Sequence, residues 1–206
     1  MIERLKKFLS LPLSKKIYLI NKLLLRLKTI FIYKFLFKEI GFTSTIKQPL
    51  FLTPEFITIG KRVKVWHHSR IEAVSEYAGA VFSPEIILED GVEIQQRVHI
   101  TAATKLTIGT NTSVLPDVLI TDIDHSYNES DKPKGEQSIS FKKTSIGANC
   151  SIGAGTKILA GTILGDDCVV GANSVVKGDF PSRSIIAGVP AKIIQIYDSP
   201  VSSHKK

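Results

Sequence analysis

The sequence predicts an all-β repeat fold, a column of about five coils with three short strands each, that follows a basic helical extension. Two observations predict this organisation. An aliphatic residue recurs at every sixth position over most of the chain from Ile59 onward, and the excess of positive charge lies before residue 41. We therefore divide the chain into the extension with its connection (residues 1–56), the repeat domain (57–196) and a short tail (197–206).

The composition of the 206-residue chain excludes several classes of protein. Two cysteines are too few for a disulfide framework. A content of 43% hydrophobic and 22% charged residues is typical of a globular protein rather than a disordered one. The net charge of +8 is confined to residues 1–40, which hold ten basic and two acidic residues. No base-reading motif accompanies this charge, so we expect no nucleic-acid partner.

The basic extension predicts an amphipathic helix, with Ser14 as a candidate N-cap and Gly41 as a candidate stop. Its apolar positions at helical spacing are Ile17, Ile20, Leu24, Leu27, Phe31 and Phe35. Lysine and arginine residues interrupt this stretch. It therefore contains neither a membrane-spanning run nor the apolar core of a secretory signal, and we expect a cytoplasmic protein.

Two interpretations of this helix remain open. Its apolar face packs on its own domain or on a second subunit, as the apolar faces of most amphipathic helices do. Alternatively, its Lys and Arg side chains contact anionic lipid headgroups while its apolar side chains enter the membrane interface. The second interpretation predicts a peripheral membrane contact through residues 1–40, at the inner face of the membrane.

A six-residue repeat is clearest from residue 146, where six hexads follow one another without a gap: IGANCS, IGAGTK, ILAGTI, LGDDCV, VGANSV and VKGDFP. The first position is always aliphatic, and glycine fills four of the six second positions. A strand that turns a corner every six residues buries one aliphatic side chain per face, and glycine lets the chain bend. Each coil then rests on the coil below, so the core is a column.

The same register extends backwards to Ile59, and extra residues interrupt it at three places. The insertions follow Ile71, Ile100 and Ile120, in each case at the end of the third hexad of a coil. We therefore expect all of them to leave the column at one corner. Loops gathered at one edge of a rigid scaffold are where a functional site would be built.

This repeat resembles the hexapeptide-repeat family, whose fold is a left-handed parallel β-helix of triangular section with three hexads per coil. The segment LPDVLITDIDH (residues 115–125), which opens the longest insertion, resembles the sugar and polysaccharide O-acetyltransferases of that family, most closely those that modify surface glycans. The resemblance implies that His125 is the general base that takes the proton of an acceptor hydroxyl. It also implies a homotrimer with active sites between subunits.

Residues near the predicted base are candidates for supporting roles. Asp122 or Asp124 orients His125 by accepting its second N–H, or both acids are solvated loop residues. Tyr127, in the same loop, is a candidate substrate contact. Gln95 is another, because it aligns loosely with a substrate-binding amide of the relatives.

The C-terminal segment SIIAGVPAKII (residues 184–194) resembles the closing signature of the family, where the acyl-CoA lies along the edge of the coils. Small residues let the pantetheine arm lie against the backbone and lysines suit its phosphates, although the lysines are equally compatible with solvation. The resemblance implies acetyl-CoA as the co-substrate and no metal. By position, it implies donor contacts at Ala154, Ala172, Lys177, Gly178 and Lys192.

Together these features predict an acetyl-CoA-dependent O-acetyltransferase that modifies a hydroxyl of a cell-surface polysaccharide or of its lipid-linked precursor. Relatives that act on simple sugars often carry a Trp before the first Ile-Gly hexads after the loop and a carboxylate on the coil below the histidine. This chain has Ser151 and the pair Ala102-Ala103 there instead. We therefore expect an acceptor other than a simple sugar.

Other functions remain as alternatives. An N-acetyltransferase acting on a nucleotide-linked amino sugar shares the scaffold and the donor, and only its acceptor differs. A zinc-dependent hydratase of the same fold needs three histidines that converge on a metal. His67, His68, His99 and His125 lack the paired spacing that this requires. The His125 loop and the closing signature disfavour a non-enzymatic scaffold.

Overall fold

The computed structural model describes residue 3 and residues 8–126, 131 and 133–198, and its main body is a column of short strands. The chain completes six coils, each with one strand on each of three faces, and adds a partial seventh. The first two coils contain β1 (Glu39–Ile40), β2 (Thr45–Ile46) and β3 (Phe51–Leu52), then β4 (Ile57–Ile59), β5 (Lys64–Val65) and β6 (Arg70–Ala73). A hairpin of β7 (Glu76–Tyr77) and β8 (Ala80–Val81) follows.

The remaining coils follow in the same order along the chain. Coils three and four contain β9 (Glu85–Leu88), β10 (Glu93–Ile94), β11 (His99–Ala102), β12 (Lys105–Ile108), β13 (Ser113–Val114) and β14 (Leu119–Thr121). A ribbon of β15 (Ile123–His125) and β16 (Ile139–Phe141) comes next. Coils five and six contain β17 (Thr144–Ile146), β18 (Ser151–Ile152), β19 (Lys157–Ile158), β20 (Ile163–Leu164), β21 (Val169–Val170) and β22 (Val175–Val176). The partial coil contains β23 (Asp179–Phe180), β24 (Ser184–Gly188) and β25 (Ala191–Ile196).

Strands of successive coils pair in parallel and build three sheets, one on each face of the column. The first sheet has the order β1-β4-β9-β12-β17-β20-β23, the second β2-β5-β10-β13-β18-β21-β24-β25, and the third β22-β19-β14-β11-β6-β3. Only β25 runs antiparallel to its neighbour in these three sheets of the described chain. This architecture confirms the predicted left-handed parallel β-helix, with one coil more than the sequence indicated.

The additional coil lies at the N-terminal end. β1 pairs with β4, so the column begins at Glu39, before the boundary that we placed at residue 57. Ile40, Ile46 and Leu52 keep the six-residue spacing, but only Ile40 is followed by glycine. Because the glycine at the second position is missing from two of its three hexads, the repeat is hard to recognise in this coil.

The core is a stack of inward-facing aliphatic side chains. Neighbouring side chains on a strand point to opposite faces of the sheet, so one face of each strand is buried and the other remains available for a site. The stacked residues of the first sheet are each at most 2% exposed: Ile59, Leu88, Ile108, Ile146 and Leu164.

The corners depend on the fourth residue of most hexads, which adopts a left-handed backbone conformation. Asn149, Asp167 and Asn173 have φ values of 55°, 58° and 56° at this position. Asparagine and aspartate tolerate this region better than β-branched residues do. The second position is restricted by close packing, since a Cβ added at Gly153 would lie 2.5 Å from the backbone nitrogen of Ala172 in the next coil.

We expect Gly153→Ala to lower the free energy of unfolding by about 2 kcal/mol, because the new Cβ overlaps backbone atoms of the next coil. Chemical denaturation followed by circular dichroism measures the change. Gly135→Ala is the matched control, since a Cβ added there meets no atom within 4 Å. Its expected effect is below about 0.5 kcal/mol. Equal destabilisation by the two substitutions would contradict this account of the coil packing.

The predicted helix is present, but its ends differ from the prediction. The helix α1 spans Leu13–Lys28, and Pro12 rather than Ser14 precedes it as the cap residue. A π-helical segment and one further helical turn carry the chain to Leu36, where the helical stretch ends before Gly41. It ends there because the next residues leave the helix to form β1.

The end of this helical stretch covers the open N-terminal end of the column. Thr29, Tyr33 and Phe37 are buried, and the hydroxyl of Thr29 donates a hydrogen bond to the carbonyl oxygen of Ser44 at 2.9 Å. The rings of Tyr33 and Phe37 pack edge to face with centroids 5.5 Å apart. Both rings belong to the same hydrophobic core as Ile46 in the first coil.

The predicted apolar stripe of the helix does not pack on its own chain. α1 contributes no buried residue, and the six stripe residues range from 38% exposed at Leu27 to 78% at Phe35. The interpretation that this stripe packs on its own domain is therefore wrong. The interpretations that a second subunit or a membrane surface covers it remain open. Within the described part of the chain, no helix is long and apolar enough to cross a bilayer.

Both long insertions leave the column at the corner after the third sheet, as predicted. The β7–β8 hairpin follows β6, and the β15–β16 ribbon follows β14. The two insertions contact each other, since the rings of Phe82 and Phe141 lie 6.0 Å apart and the hydroxyl of Tyr77 donates to the carbonyl oxygen of Gly135 at 2.8 Å. They form a continuous wall beside the third face.

Candidate active site

The third face of the column carries a cleft of about 460 Å³ beside this wall, which we call the third-face cleft. Outward-facing side chains of β6, β11 and β14 form its floor, because the strand alternation that buries their neighbours directs them outward. The floor residues are Arg70, Glu72, His99, Thr101, Leu119 and Thr121. Residues of both insertions, including Tyr77 and His125, complete the lining.

His125 is the last residue of β15 and is exposed in the third-face cleft. The antiparallel pairing of β15 with β16 places it opposite Ile139. Its imidazole packs edge to face against the ring of Tyr77, with centroids 5.8 Å apart and an interplanar angle of 73°. An aromatic ring from the other insertion therefore holds the predicted base, where we had expected a carboxylate.

Asp122 does not orient His125. Its side chain is fully buried, and its two carboxylate oxygens accept hydrogen bonds from the backbone N–H groups of Ala103 and Thr104 at 2.8 and 2.9 Å and from the hydroxyl of Thr104 at 2.6 Å. Asp122 therefore anchors the base of the insertion to the preceding coil. Our prediction of a direct role beside the imidazole is wrong for this residue, because its lone pairs are directed into the column.

Asp124 lies on the exposed surface of the β15–β16 ribbon, where it forms an ion pair with Lys177. The Lys177 Nζ lies 3.7 Å from the Asp124 Oδ2, and both side chains are more than half exposed. This pair joins the insertion that carries His125 to a corner of the sixth coil. It brings two sequence-predicted site residues together, although they had been assigned to different roles.

Three floor residues of the cleft were missed by the sequence analysis. Arg70 and Glu72 are ion-paired on β6, with the Arg70 Nε 2.7 Å from the Glu72 Oε2. His99 lies beside Arg70 in the sheet register, and its buried Nε2 has no hydrogen-bond partner among the described residues. All three occupy outward-facing positions on the third strand of a coil. These positions can be identified from the sequence once the hexad register is known.

Burial lowers the pKa of His99 below its ordinary value of 6.5, and the nearby charge of Arg70 lowers it further against the opposing effect of Glu72. Because the unfolded chain binds the proton more tightly, we expect the contribution of His99 to stability to be complete above about pH 7 and to fall as the pH drops below about 6.5. His99→Gln should reduce this loss of stability at low pH in denaturation curves compared with the unsubstituted chain. An unaltered pH profile in His99→Gln would contradict this prediction.

The predicted donor residues lie at two corners that flank the third face. Ala154 and Ala172 stack at the corner between the second and third strands, where Asn173 donates its backbone N–H to the carbonyl oxygen of Ala154 at 2.8 Å. Lys192 on β25 pairs with Ala187, next to this corner. The other corner carries Lys177 and Gly178, after β22.

Of the two predicted substrate contacts, the structure describes only Gln95. Gln95 lies at the corner after β10, where its backbone N–H donates to the carbonyl oxygen of Val114 at 2.9 Å, and it does not line the cleft. Tyr127 lies outside the described residues. Over the described chain, no group of three or more His, Cys, Asp or Glu side chains is arranged to hold a metal ion.

The repeat is recognised by comparison with known proteins. The family model described as "Bacterial transferase hexapeptide (six repeats)" matches residues 143–178, which form coils five and six. The chain is also 39% identical over 120 residues to the putative lipopolysaccharide biosynthesis O-acetyl transferase WbbJ of Escherichia coli K12, covering 55% of this chain and 61% of that protein. Residues 143–178 thus match a hexapeptide-repeat transferase family.

Two further relatives match the chain over shorter shares of their length. Galactoside O-acetyltransferase of Escherichia coli K12 is 37% identical over 90 residues, which cover 44% of this chain and 43% of that protein. A probable acetyltransferase of Mycobacterium tuberculosis is 30% identical over 147 residues, or 69% of this chain and 46% of that protein. The chain thus spans about three-fifths of the first relative and less than half of the other two.

Solved structures share the fold of the chain. The N-acyltransferase AntD of Bacillus cereus, in complex with dTDP and 3-hydroxybutyryl-CoA, has a TM-score of 0.66 at 16% identity, covering 80% of this chain and 86% of AntD. PerB of Caulobacter crescentus, in complex with CoA and GDP-perosamine, has a TM-score of 0.54 at 19% identity, covering 74% of this chain and 57% of PerB. At these identities the likeness establishes the fold.

Proposed function

We propose that this chain transfers an acetyl group from acetyl-CoA to a hydroxyl of a cell-surface polysaccharide or of its lipid-linked precursor. The observation that carries the proposal is the position of His125, exposed in the third-face cleft and held there by Tyr77. Two relatives that match the chain are named as O-acetyltransferases, one of lipopolysaccharide biosynthesis and one of galactosides. The absence of the simple-sugar features near residues 102 and 151 favours a glycan acceptor.

In this proposal His125 is the general base. A sugar hydroxyl is a poor nucleophile, so the neutral imidazole takes its proton as the oxygen attacks the thioester carbonyl carbon. The carbon–sulfur bond then breaks, and the imidazolium returns the proton to the departing thiolate. The products are an acetyl ester and CoA, without an acetyl-enzyme. A positioned general base contributes about 10² to 10⁴ in rate.

The donor lies along the corners of coils five and six. At Ala154 and Ala172 the side chains are a single methyl group, so an extended pantetheine arm approaches the backbone closely. Lys177 and Lys192 are exposed cations on either side, suited to phosphate groups. The ion pair between Lys177 and Asp124 joins the insertion that carries His125 to the corner after the third face of the same chain.

We infer that the active unit is a homotrimer, in which the donor corner of one subunit faces His125 of another. Ala154 and Ala172 do not line the third-face cleft of their own chain, so a single chain does not surround both substrates. We also infer that the enzyme acts in the cytoplasm, at the inner face of the membrane. The exposed apolar stripe of α1 and the lysines of the same helix support a peripheral contact with anionic lipid.

Transfer of a labelled acetyl group tests the proposed reaction directly. The purified full chain is incubated with radiolabelled acetyl-CoA and surface polysaccharide, or its lipid-linked precursor, from a strain that lacks this protein. We expect label in the glycan that mild alkali releases, because an acetyl ester hydrolyses under conditions in which an amide survives. NMR of the product then identifies the acetylated hydroxyl.

The same experiment separates O-acetylation from N-acetylation of an amino sugar. Label that resists alkali, or that appears only with a nucleotide-linked amino sugar, would identify N-acetyl transfer and overturn the proposed acceptor. Absence of transfer to every glycan form, with acetyl-CoA still bound, would overturn the proposed activity altogether.

A further inference from the structure

A second cavity, of about 880 Å³, lies between α1 and the outer surface of the second sheet, and we call it the helix cavity. It does not belong to the third-face cleft, because its lining comes from the helix and the first two coils. Six basic side chains line it, three from each side: Lys22, Arg26 and Lys28 from α1, and Lys47, Arg62 and Lys64 from the coils.

These charges are not balanced by acidic groups in the cavity. No Asp or Glu belongs to its lining, although two carboxylates lie close by. The Glu93 Oε2 lies 3.0 Å from the Lys64 Nζ, and the Asp90 Oδ2 lies 3.9 Å from an Arg62 guanidinium nitrogen. Four lining cations are therefore left without a carboxylate partner among the described residues. A cavity of this kind is complementary to a multiply charged anion.

The helix cavity also has an apolar wall. Tyr18, Leu24 and Leu25 contribute it from the helix, and Val65 and Trp66 from the second coil. The Lys47 Nζ lies 3.4 Å from the centroid of the Trp66 ring. Burial lowers the pKa of Lys47 against the opposing effect of Glu93, so this ammonium group is partly removed from water at the cavity wall. The lining thus combines cations with apolar surface, which suits an amphiphilic anion.

We propose that the helix cavity binds the diphosphate and the first isoprene units of a prenyl-diphosphate-linked glycan. The diphosphate contacts the lysines and arginines, and the prenyl chain runs along the apolar wall toward the exposed stripe of α1. This inference rests on the proposed function, since it names the membrane-borne form of the acceptor. It adds a binding site that no part of the acetyl-transfer chemistry requires.

The distance between the two sites fits one ligand. His67 lines the helix cavity and Arg70, three residues later on the same coil, lines the third-face cleft. Three extended residues span at most about 10 Å. A glycan attached to a diphosphate in the helix cavity therefore reaches the third face within a few sugar units.

The tryptophan of the cavity provides the measurement. Trp66 is the one tryptophan in the sequence, and its ring stacks with Lys47, so its fluorescence reports on the cavity alone. Titration of the full chain with farnesyl diphosphate, without acetyl-CoA, should give a saturable fluorescence change. Inorganic diphosphate, farnesol and CoA, titrated separately, should each bind at least about tenfold more weakly, because each lacks one half of the amphiphile or carries a different apolar group.

Substitutions on one helix supply matched controls. Arg26→Gln, and separately Lys22→Gln, should weaken farnesyl diphosphate binding about tenfold by removing one charge-assisted contact. Lys15→Gln removes the same charge from an exposed position outside the lining, and should leave the affinity unchanged. Equal losses in all three variants would overturn the proposal in favour of diffuse surface charge. Equal affinity for inorganic diphosphate, farnesol or CoA would overturn it as well.

The outcome for the cavity is separable from the outcome for the reaction. His125→Ala should retain farnesyl diphosphate binding while it loses acetyl transfer. Acetylation of a soluble glycan without farnesyl diphosphate binding would overturn the cavity proposal alone. Binding without acetylation of any glycan would overturn the proposed function alone.

Discussion

His125→Ala is expected to lower kcat for acetyl transfer about 10³-fold, the largest functional loss that we predict for a single substitution. Without the imidazole, the acceptor hydroxyl must lose its proton to water, and the contribution of a positioned base, about 10² to 10⁴ in rate, disappears. The KM for acetyl-CoA should change little, because the donor corners do not involve this side chain. Initial rates with saturating glycan and labelled acetyl-CoA measure both quantities.

The control for this substitution is a histidine elsewhere on the column. His68→Asn removes an exposed imidazole at a corner with a left-handed backbone, φ 61°, which asparagine tolerates. It should retain full activity. Circular dichroism should show both variants folded, since His125 is exposed and contributes little to the core. Unchanged kcat in folded His125→Ala would contradict the assignment of the base.

Asp122→Ala is expected to cause the largest loss of stability, about 4 kcal/mol in the free energy of unfolding. The substitution leaves one buried and one partly buried backbone N–H group and one partly buried hydroxyl without their charged acceptor, and each loss at a buried group costs about 1 to 3 kcal/mol. It also releases the base of the insertion that carries His125. We therefore expect kcat per folded molecule to fall by about tenfold or more.

Two matched substitutions separate anchoring from charge. Asp122→Asn keeps one acceptor oxygen and should lose about half as much stability as Asp122→Ala. Asp124→Asn removes a carboxylate from the same insertion, but from an exposed ion pair, and should cost less than about 0.5 kcal/mol. Denaturation curves of the three variants measure these losses in the free energy of unfolding. Similar losses in Asp122→Ala and Asp124→Asn would contradict the anchoring role.

The coils could be predicted from the sequence because their signal is local and repeated. Each hexad carries its own aliphatic residue, small residue and turn residue. The spacing of Ile146, Ile152 and Ile158 therefore predicts a column without knowledge of any distant contact. The hexad register also predicted the corner at which the insertions leave the column. The first coil was not predicted, because Ile46 and Leu52 are not followed by glycine.

The interior of the site was less predictable, because it depends on contacts between segments far apart in the sequence. Tyr77 reaches His125 from another insertion, and no periodicity marks either residue. Asp122 and Asp124 look alike in the sequence, yet one lies inside the column and the other in solvent. The shape of the first coil likewise decides which helix residues are buried. It buries Thr29, Tyr33 and Phe37 and leaves the neighbouring apolar stripe exposed.

The buried end of the helical stretch also closes one end of the column. The strands β1, β2 and β3 of the first coil have paired neighbours on one side only, and unpaired strand edges are templates for joining a second chain. Tyr33 and Phe37 cover the apolar interior between these edges. Removing residues 1–40 would delete β1 and uncover the apolar interior of the first coil, so we expect the shortened chain to self-associate at that end. Single substitutions on the outer surface of the helix leave that end closed.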